Sequence, residues 1–168
     1  MKRNFLYCLL VTLGITLPCE GGMFKNLSRP VQPWHFDGRA FAPGTGDGNL
    51  VVLVRDGYLP VVQTRNDSKP GSSLPEGQGV VAGLCYVQVA GGKLANRSVT
   101  VPTAGYPLEI VGATGTGWRV TTGDNGFFTA PLPPGTYEVR GSGMPVKVTV
   151  TAGKTSLVAL RTGKRMAD

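Results

Sequence analysis

Residues 118–150 read WRVTTGDNGFFTAPLPPGTYEVRGSGMPVKVTV, and the punctuation of this stretch decides the fold. Trp118, Val120 and Thr122 stand two apart, the period that places side chains on one face of a strand. Gly123-Asp124-Asn125-Gly126 stops the run, because Asp and Asn bond their own backbone and glycine accepts positive φ, a hairpin signal. A second strand is expected from Phe127 to Pro131, with Phe128, Ala130 and Leu132 on one face and Phe127 and Thr129 on the other. Pro133-Pro134-Gly135 ends it, since proline cannot donate to a ladder. Tyr137 and Val139 restart the alternation with Glu138 and Arg140 facing out, and Val146, Val148 and Val150 repeat it.

The run Thr122-Gly-Asp124-Asn-Gly126-Phe-Phe128, then Leu132-Pro-Pro134-Gly135-Thr-Tyr137-Glu-Val139, then Val148-Thr-Val150 ahead of Gly153-Lys-Thr155, resembles the carboxypeptidase regulatory-like domain. The resemblance spans Gly79 to Leu160, about half the chain. It implies an all-β, prealbumin-like (transthyretin-like) Greek-key sandwich of about seven strands. Members of that family act mostly as non-catalytic appendages or as small secreted and envelope proteins.

Working outward, Gly79 to Val89 opens the sandwich, with Leu84 and Tyr86 on one face and Val81, Cys85 and Val87 on the other, so that both faces are expected to be buried. A short strand follows at Ser98 to Val101, then one at Tyr106 to Val111, and Thr155 to Leu160 is the last. Gly and Pro, 25 and 13 in 168 residues, are spread along the chain, and no window sustains a 3.6-residue apolar period, so helix is expected to be scarce outside the leader. The net charge of +7 is scattered among Arg39, Arg55, Arg65, Arg97, Arg119 and Arg140. A nucleic-acid platform needs basic residues interleaved with exposed aromatics on one face, and the tyrosines and phenylalanines here fall mostly in core phase.

Lys2 and Arg3 precede an apolar run from Phe5 to Leu17, the form of a secretory signal and too short for a comfortable membrane span. Residues 1–21 are therefore read as a cleaved leader and the protein as exported to periplasm, outer membrane or exterior. Ordinary cleavage is expected near Gly21 or Gly22; the alternative is lipidation at Cys19, which stands where the lipidated cysteine of a bacterial lipoprotein would, although Leu17 and Pro18 depart from the small residue expected before it. Cys8 leaves with the leader and Cys85 remains as a lone buried thiol, with a Cys19 to Cys85 disulfide open only if Cys19 survives.

Residues 22–48 read as a tether with one short strand, His35 to Phe41, and a turn-rich loop from Pro43 to Gly48. In residues 49–78, Leu50 to Arg55 and Tyr58 to Gln63 flank Asp56-Gly57 and form a hairpin, followed by a polar loop from Arg65 to Gln78. Two strands are marginal alone, so the hairpin packs on its own sandwich or on a neighbour's. The sandwich proper covers residues 79–161, and 162–168 is a basic tail.

A zinc carboxypeptidase site needs two histidines and a carboxylate, and His35 is the one histidine, read as a surface residue. No catalytic, metal or cofactor residues are assigned. Prealbumin-type hydrolases use several histidines and a C-terminal Tyr-Arg-Gly-Ser tail, which Arg140-Gly141-Ser142 echoes inside the chain; a small hydrolase of that type is the alternative function. Asp124-Asn125-Gly126 and Asp47-Gly48-Asn49 offer too few oxygens for calcium, and turn chemistry accounts for both. Sequons at Asn26, Asn66 and Asn96 are background in a bacterial chain. A lysine-to-asparagine crosslink is excluded, since Thr155 to Leu160 holds neither Asn nor Asp. What remains is a non-enzymatic envelope or secreted module that binds a protein or glycan, with no nucleic-acid partner and with membrane contact only through a lipid on Cys19. Its candidate binding surface is the loops Gly112 to Gly117, Gly123 to Gly126 and Gly141 to Pro145, with Asp124 and Asn125 on the second. Tyr106 and Trp118 are read either as sugar-stacking rings or as core.

Overall fold

The computed structural model describes residues 30–46, 50–64, 71–90 and 98–163, apart from the side chains of Ala90 and Ser98. Cys19, Asn26, Asp47 to Asn49, Asn66, Asn96 and the end of the basic tail lie outside the described residues. The strands are β1 (Gln32–Phe36), β2 (Phe41–Pro43), β3 (Val51–Val54), β4 (Val61–Val62), β5 (Gly79–Ala90), β6 (Ser98–Pro102), β7 (Pro107–Gly112), β8 (Gly117–Thr121), β9 (Phe127–Leu132), β10 (Gly135–Arg140), β11 (Val146–Val150) and β12 (Thr155–Arg161). Among the described residues there is no helix.

These strands stack in three layers. An N-terminal sheet runs β2-β1-β3-β4, an outer sheet runs β11-β10-β7-β8, and a middle sheet lies between them. In the middle sheet β12 lies parallel to β5 on one side, while β9 and β6 divide the other, β9 pairing with residues 79–84 and β6 with 86–90. The sandwich of outer and middle sheets therefore has eight strands where seven were expected, because two short strands share one edge of β5.

The composition of β5 dictates the layering. Every residue from Gly79 to Tyr86 is buried; strand alternation sends them to two different cores. Val81 and Cys85 join Leu108, Ile110, Phe128, Leu132, Val139 and Leu160 beneath the outer sheet. Ala82, Leu84 and Tyr86 join Phe36, Leu50, Val52 and Phe127 beneath the N-terminal sheet, where the Phe36 and Tyr86 rings lie 5.0 Å apart. Gly83 stands where a Cβ would come within 2.3 Å of the Val158 carbonyl oxygen, so the parallel approach of β12 requires a residue without a side chain.

The N-terminal extension is larger than a tether and a hairpin. The strand expected across His35 to Phe41 is the turn between β1 and β2: Asp37 accepts the amides of Arg39 and Ala40, each at 2.8 Å, and Gly38 takes φ 100°. Those two amides, Ala40 first, hold the Asp37 carboxyl below its ordinary value. β3 and β4 do pair, and Asp56-Gly57 does turn the chain, the Tyr58 amide donating to the Arg55 carbonyl at 3.1 Å, but the ladder does not run into this turn as a two-residue hairpin. Such a loop in its favoured form needs positive φ at both central residues, and only Gly57 has it, at 83°. The ladder pairs Val52 with Val62, and Tyr58 leaves it to bridge Ser73. Lys154 binds Asp56 and the Gly57 amide donates to the Gly153 carbonyl at 2.8 Å, tying this sheet to the β11–β12 turn.

The Leu-Pro-Pro-Gly-Thr-Tyr motif acquires a physical role. The Tyr137 hydroxyl donates to the Pro133 carbonyl at 2.8 Å, its ring folds back over Gly135, and Trp118 meets that ring edge-on at 5.5 Å. Leu84→Ala should lower the unfolding free energy in urea by about 2–5 kcal/mol. Val99→Ala, at a side chain 59% exposed, should change it by no more than about 0.5 kcal/mol. Equal losses at the two positions would contradict this assignment of the core.

Candidate functional site

Register decides which loops share an end of the sandwich. Tyr137 pairs with Gly112, so residues 112–117 lie where β10 begins. Arg140 pairs with Glu109 and Pro107 with Thr121, so residues 123–126 and 141–145 lie at the opposite end. The three candidate loops therefore do not form one surface, because β8 and β10 both run antiparallel to β7.

The end that holds two of them is closed by hydroxyls. Among the described residues, Thr122 and Thr162 are the buried polar side chains. Thr122 Oγ1 donates to the Thr103 carbonyl at 2.7 Å and accepts the Tyr106 amide at 2.8 Å. Thr162 Oγ1 lies 2.9 Å from Thr103 Oγ1 and 3.2 Å from the Tyr86 carbonyl. The Ser142 amide donates to the Tyr106 hydroxyl, and Ser142 Oγ accepts from the Gly163 amide. Alternation places Thr122 on the inner face beside Val120, but the sequence carries no sign that these hydroxyls from distant segments converge.

Gly126 sits at the fork of the middle sheet. The Cys85 amide donates to the Gly126 carbonyl at 2.9 Å, and the Cys85 carbonyl accepts the Thr103 amide at 2.8 Å, so along β5 the pairing with β9 gives way to the pairing with β6 at one residue. Gly126 has φ 71°, and the Cys85 carbonyl oxygen lies only 2.8 Å from where a Cβ would stand, so the position excludes side chains. Asp124 is exposed on this turn, and Asn125 Oδ1 accepts the Phe127 amide at 3.1 Å. Both therefore lie in turn geometry.

Tyr106 and Trp118 are half-buried against the inner core. Tyr106 precedes the Pro107–Thr121 pair and Trp118 pairs with Ile110, so they are about four residues, or roughly 13 Å, apart along the sheet. They do not make one stacking platform. His35 lies on the N-terminal sheet, with Nδ1 3.2 Å from the Gly44 carbonyl and its ring against Gly46. The middle sheet separates it from Ser142, so no serine–histidine couple forms there. Among the described residues no three His, Cys, Asp or Glu side chains gather as a metal would require.

The exposed face of the outer sheet is charged and shallow. Glu138 stands opposite Lys147, and Glu109 stands between Arg140 and Arg119, so signs alternate across the strands. Arg140 donates to Glu138, and depressions of about 320 and 380 Å³ lie on either side of it. This face can meet a polar chain through hydrogen bonds and ion pairs.

No protein-family model matches the chain, and a search of curated proteins finds no match. Among solved structures, the minor pilin of the gram-positive pathogen Streptococcus agalactiae aligns with a TM-score of 0.42 at 15% identity, over 76% of this chain and 68% of its own. The Bacillus anthracis TIE protein aligns with a TM-score of 0.38 at 21% identity, over 67% of this chain and 22% of its own. At this level of likeness, fold and function are read from the chain itself.

Burial pushes the Cys85 thiol up from 9.0 to about 12, which removes the nucleophilic thiolate at neutral pH. Peptide mapping at pH 8 should find Cys85 unmodified by a thiol reagent in the native protein and modified after denaturation. Stability should fall as pH rises between 9.0 and about 12, because there the unfolded chain releases a proton that the folded chain retains. Rapid native-state modification would contradict the assignment.

Proposed function

We propose that the chain is an exported, non-enzymatic β-sandwich module of the cell envelope or its surroundings, acting by binding or assembly. The observation that carries this reading is the use of its buried polar groups. Thr122 and Thr162 are both bonded to main chain at one end of the sandwich, and neither is aimed into a cavity where a reacting atom could sit. Their chemistry is closure of the fold.

Export rests on Lys2 and Arg3 ahead of the apolar run from Phe5 to Leu17. The sandwich of residues 79–161 is read as carboxypeptidase regulatory-like on the Tyr137 motif and the Gly126 turn. A protein partner is favoured over a glycan, since Tyr106 and Trp118 turn toward the core while, among the described residues, several strands have one side unpaired.

Intact mass of the protein from membrane and soluble fractions of its host tests the reading. A chain beginning at Cys19 with added acyl mass in the membrane fraction supports an anchored module, and one beginning near Gly22 supports a free export. An unprocessed chain beginning at Met1 in the cytosol would overturn it.

A further inference from the structure

The sheet edges of this molecule are unequal. β2 has three residues and ends in Pro43, and β4 has two. β6 carries Pro102 and β9 carries Pro131, while β8 and β11 place Arg119 and Lys147 within the strand. Proline, charge and shortness are the devices that keep an edge from pairing. β12 has none of them. It runs seven residues, Thr155-Ser-Leu-Val-Ala-Leu-Arg161, without charge until its last position, and among the described residues no strand pairs with its outer side, while Gly143 packs against the Arg161 carbonyl.

The geometry of that edge can be worked out. The Val80 amide donates to the Lys154 carbonyl and the Thr162 amide donates to the Tyr86 carbonyl, so the even-numbered residues bond β5. Backbone groups alternate along a strand, so Thr155, Leu157, Ala159 and Arg161 turn theirs outward. The same residues alternate toward the N-terminal sheet, where Leu157 and Ala159 pack.

Beside the edge lies a cleft of about 230 Å³, walled by Trp34, Phe41, Val54, Leu157, Asp56 and Thr155. Thr155 Oγ1 is buried there and, among the described residues, has no hydrogen-bond partner. A buried hydroxyl in that condition lacks the bond that would offset its desolvation.

We propose that β12 is a homodimer edge, pairing antiparallel with β12 of a second copy about a two-fold axis through Val158. This register is the one that brings all four outward residues opposite one another, pairing Thr155 with Arg161 and Leu157 with Ala159 of the other copy; with the Arg161 carbonyl covered by Gly143, it makes about six main-chain hydrogen bonds. Residues directly opposite share a face. Arg161, exposed in the single chain, is thereby carried to the mouth of the other copy's cleft. Its guanidinium reaches Thr155 Oγ1, lies against Trp34, and faces the Asp56 carboxylate on the rim. In this register no like charges stand opposite one another along the strand. The dimer joins two middle sheets into one continuous sheet, and it stands independently of whether the chain is exported.

Sedimentation equilibrium of the full chain, as its host processes it, tests the assignment. Wild type should be dimeric at about 50 µM, and Arg161→Glu should weaken the dimer by at least about tenfold. Ala159→Pro removes an outward amide and no bond within the chain, so it should leave a monomer with an unchanged far-UV spectrum; if it fails to fold, the Arg161→Glu result decides. An equimolar mixture of Thr155→Cys and Arg161→Cys chains should crosslink on oxidation, and neither alone should do so. A monomeric wild type at that concentration would overturn the proposal. So would a dimer indifferent to Arg161→Glu, or one that the mixed cysteines do not trap.

Discussion

β5 is apolar on both faces, and most of the architecture follows from the need to cover both. Val81 and Cys85 on one side and Ala82, Leu84 and Tyr86 on the other would leave one group in water if either neighbouring sheet were absent. Burying a side chain of valine or leucine size contributes about 1.5–3 kcal/mol. That compares with a typical total stability of about 5–15 kcal/mol. Loss of one cover would therefore remove a stabilisation of the same order as the whole. The N-terminal sheet is accordingly a structural layer of the body.

Two glycines and a set of hydroxyls make that arrangement possible. Gly83 lets β12 approach β5 in parallel, and Gly126 lets β9 yield to β6 beside Cys85. Where the sheet opens past this fork, the hydroxyls of Thr122 and Thr162 satisfy main-chain groups that the ladders no longer reach, and Thr103 Oγ1 bonds Thr162 Oγ1. An unpaired buried carbonyl costs about 1–3 kcal/mol, so these contacts are what the end of the sandwich requires. The Asp56–Lys154 pair and the Gly57 amide fix the N-terminal sheet at the other end.

The strands from Trp118 to Val150 were legible because their turns are written in local chemistry: the glycines of the first turn, the prolines of the second, and alternation between them. The double burial of β5 was legible for the same reason, as a run of apolar residues in both phases. The β3–β4 register was not, because Asp56-Gly57 suits a tight hairpin and what displaces it is Ser73, a distant residue that bridges Tyr58. His35 to Phe41 reads as a strand by alternation, yet Asp37 binds two amides ahead of it and turns the chain. The separation of the loops at 112–117 and 141–145 depends on β10 returning beside β7, a non-local pairing that no local pattern encodes. The convergence of Thr103, Thr122 and Thr162 depends on the same crossings.

The middle sheet needs two covers for its interior, and among the described residues no strand pairs with β12 on its outer side. The most direct measurement is the solubility and cooperativity of a chain from which the N-terminal sheet, residues 30–64, has been deleted. That chain is predicted to lose its cooperative thermal transition and to bind a hydrophobic dye or aggregate, because Ala82, Leu84, Tyr86, Phe127, Leu157 and Ala159 are laid bare. A soluble protein with a sharp, two-state melting transition close to that of the full chain would contradict the claim, and would show that the sandwich is complete without its third layer.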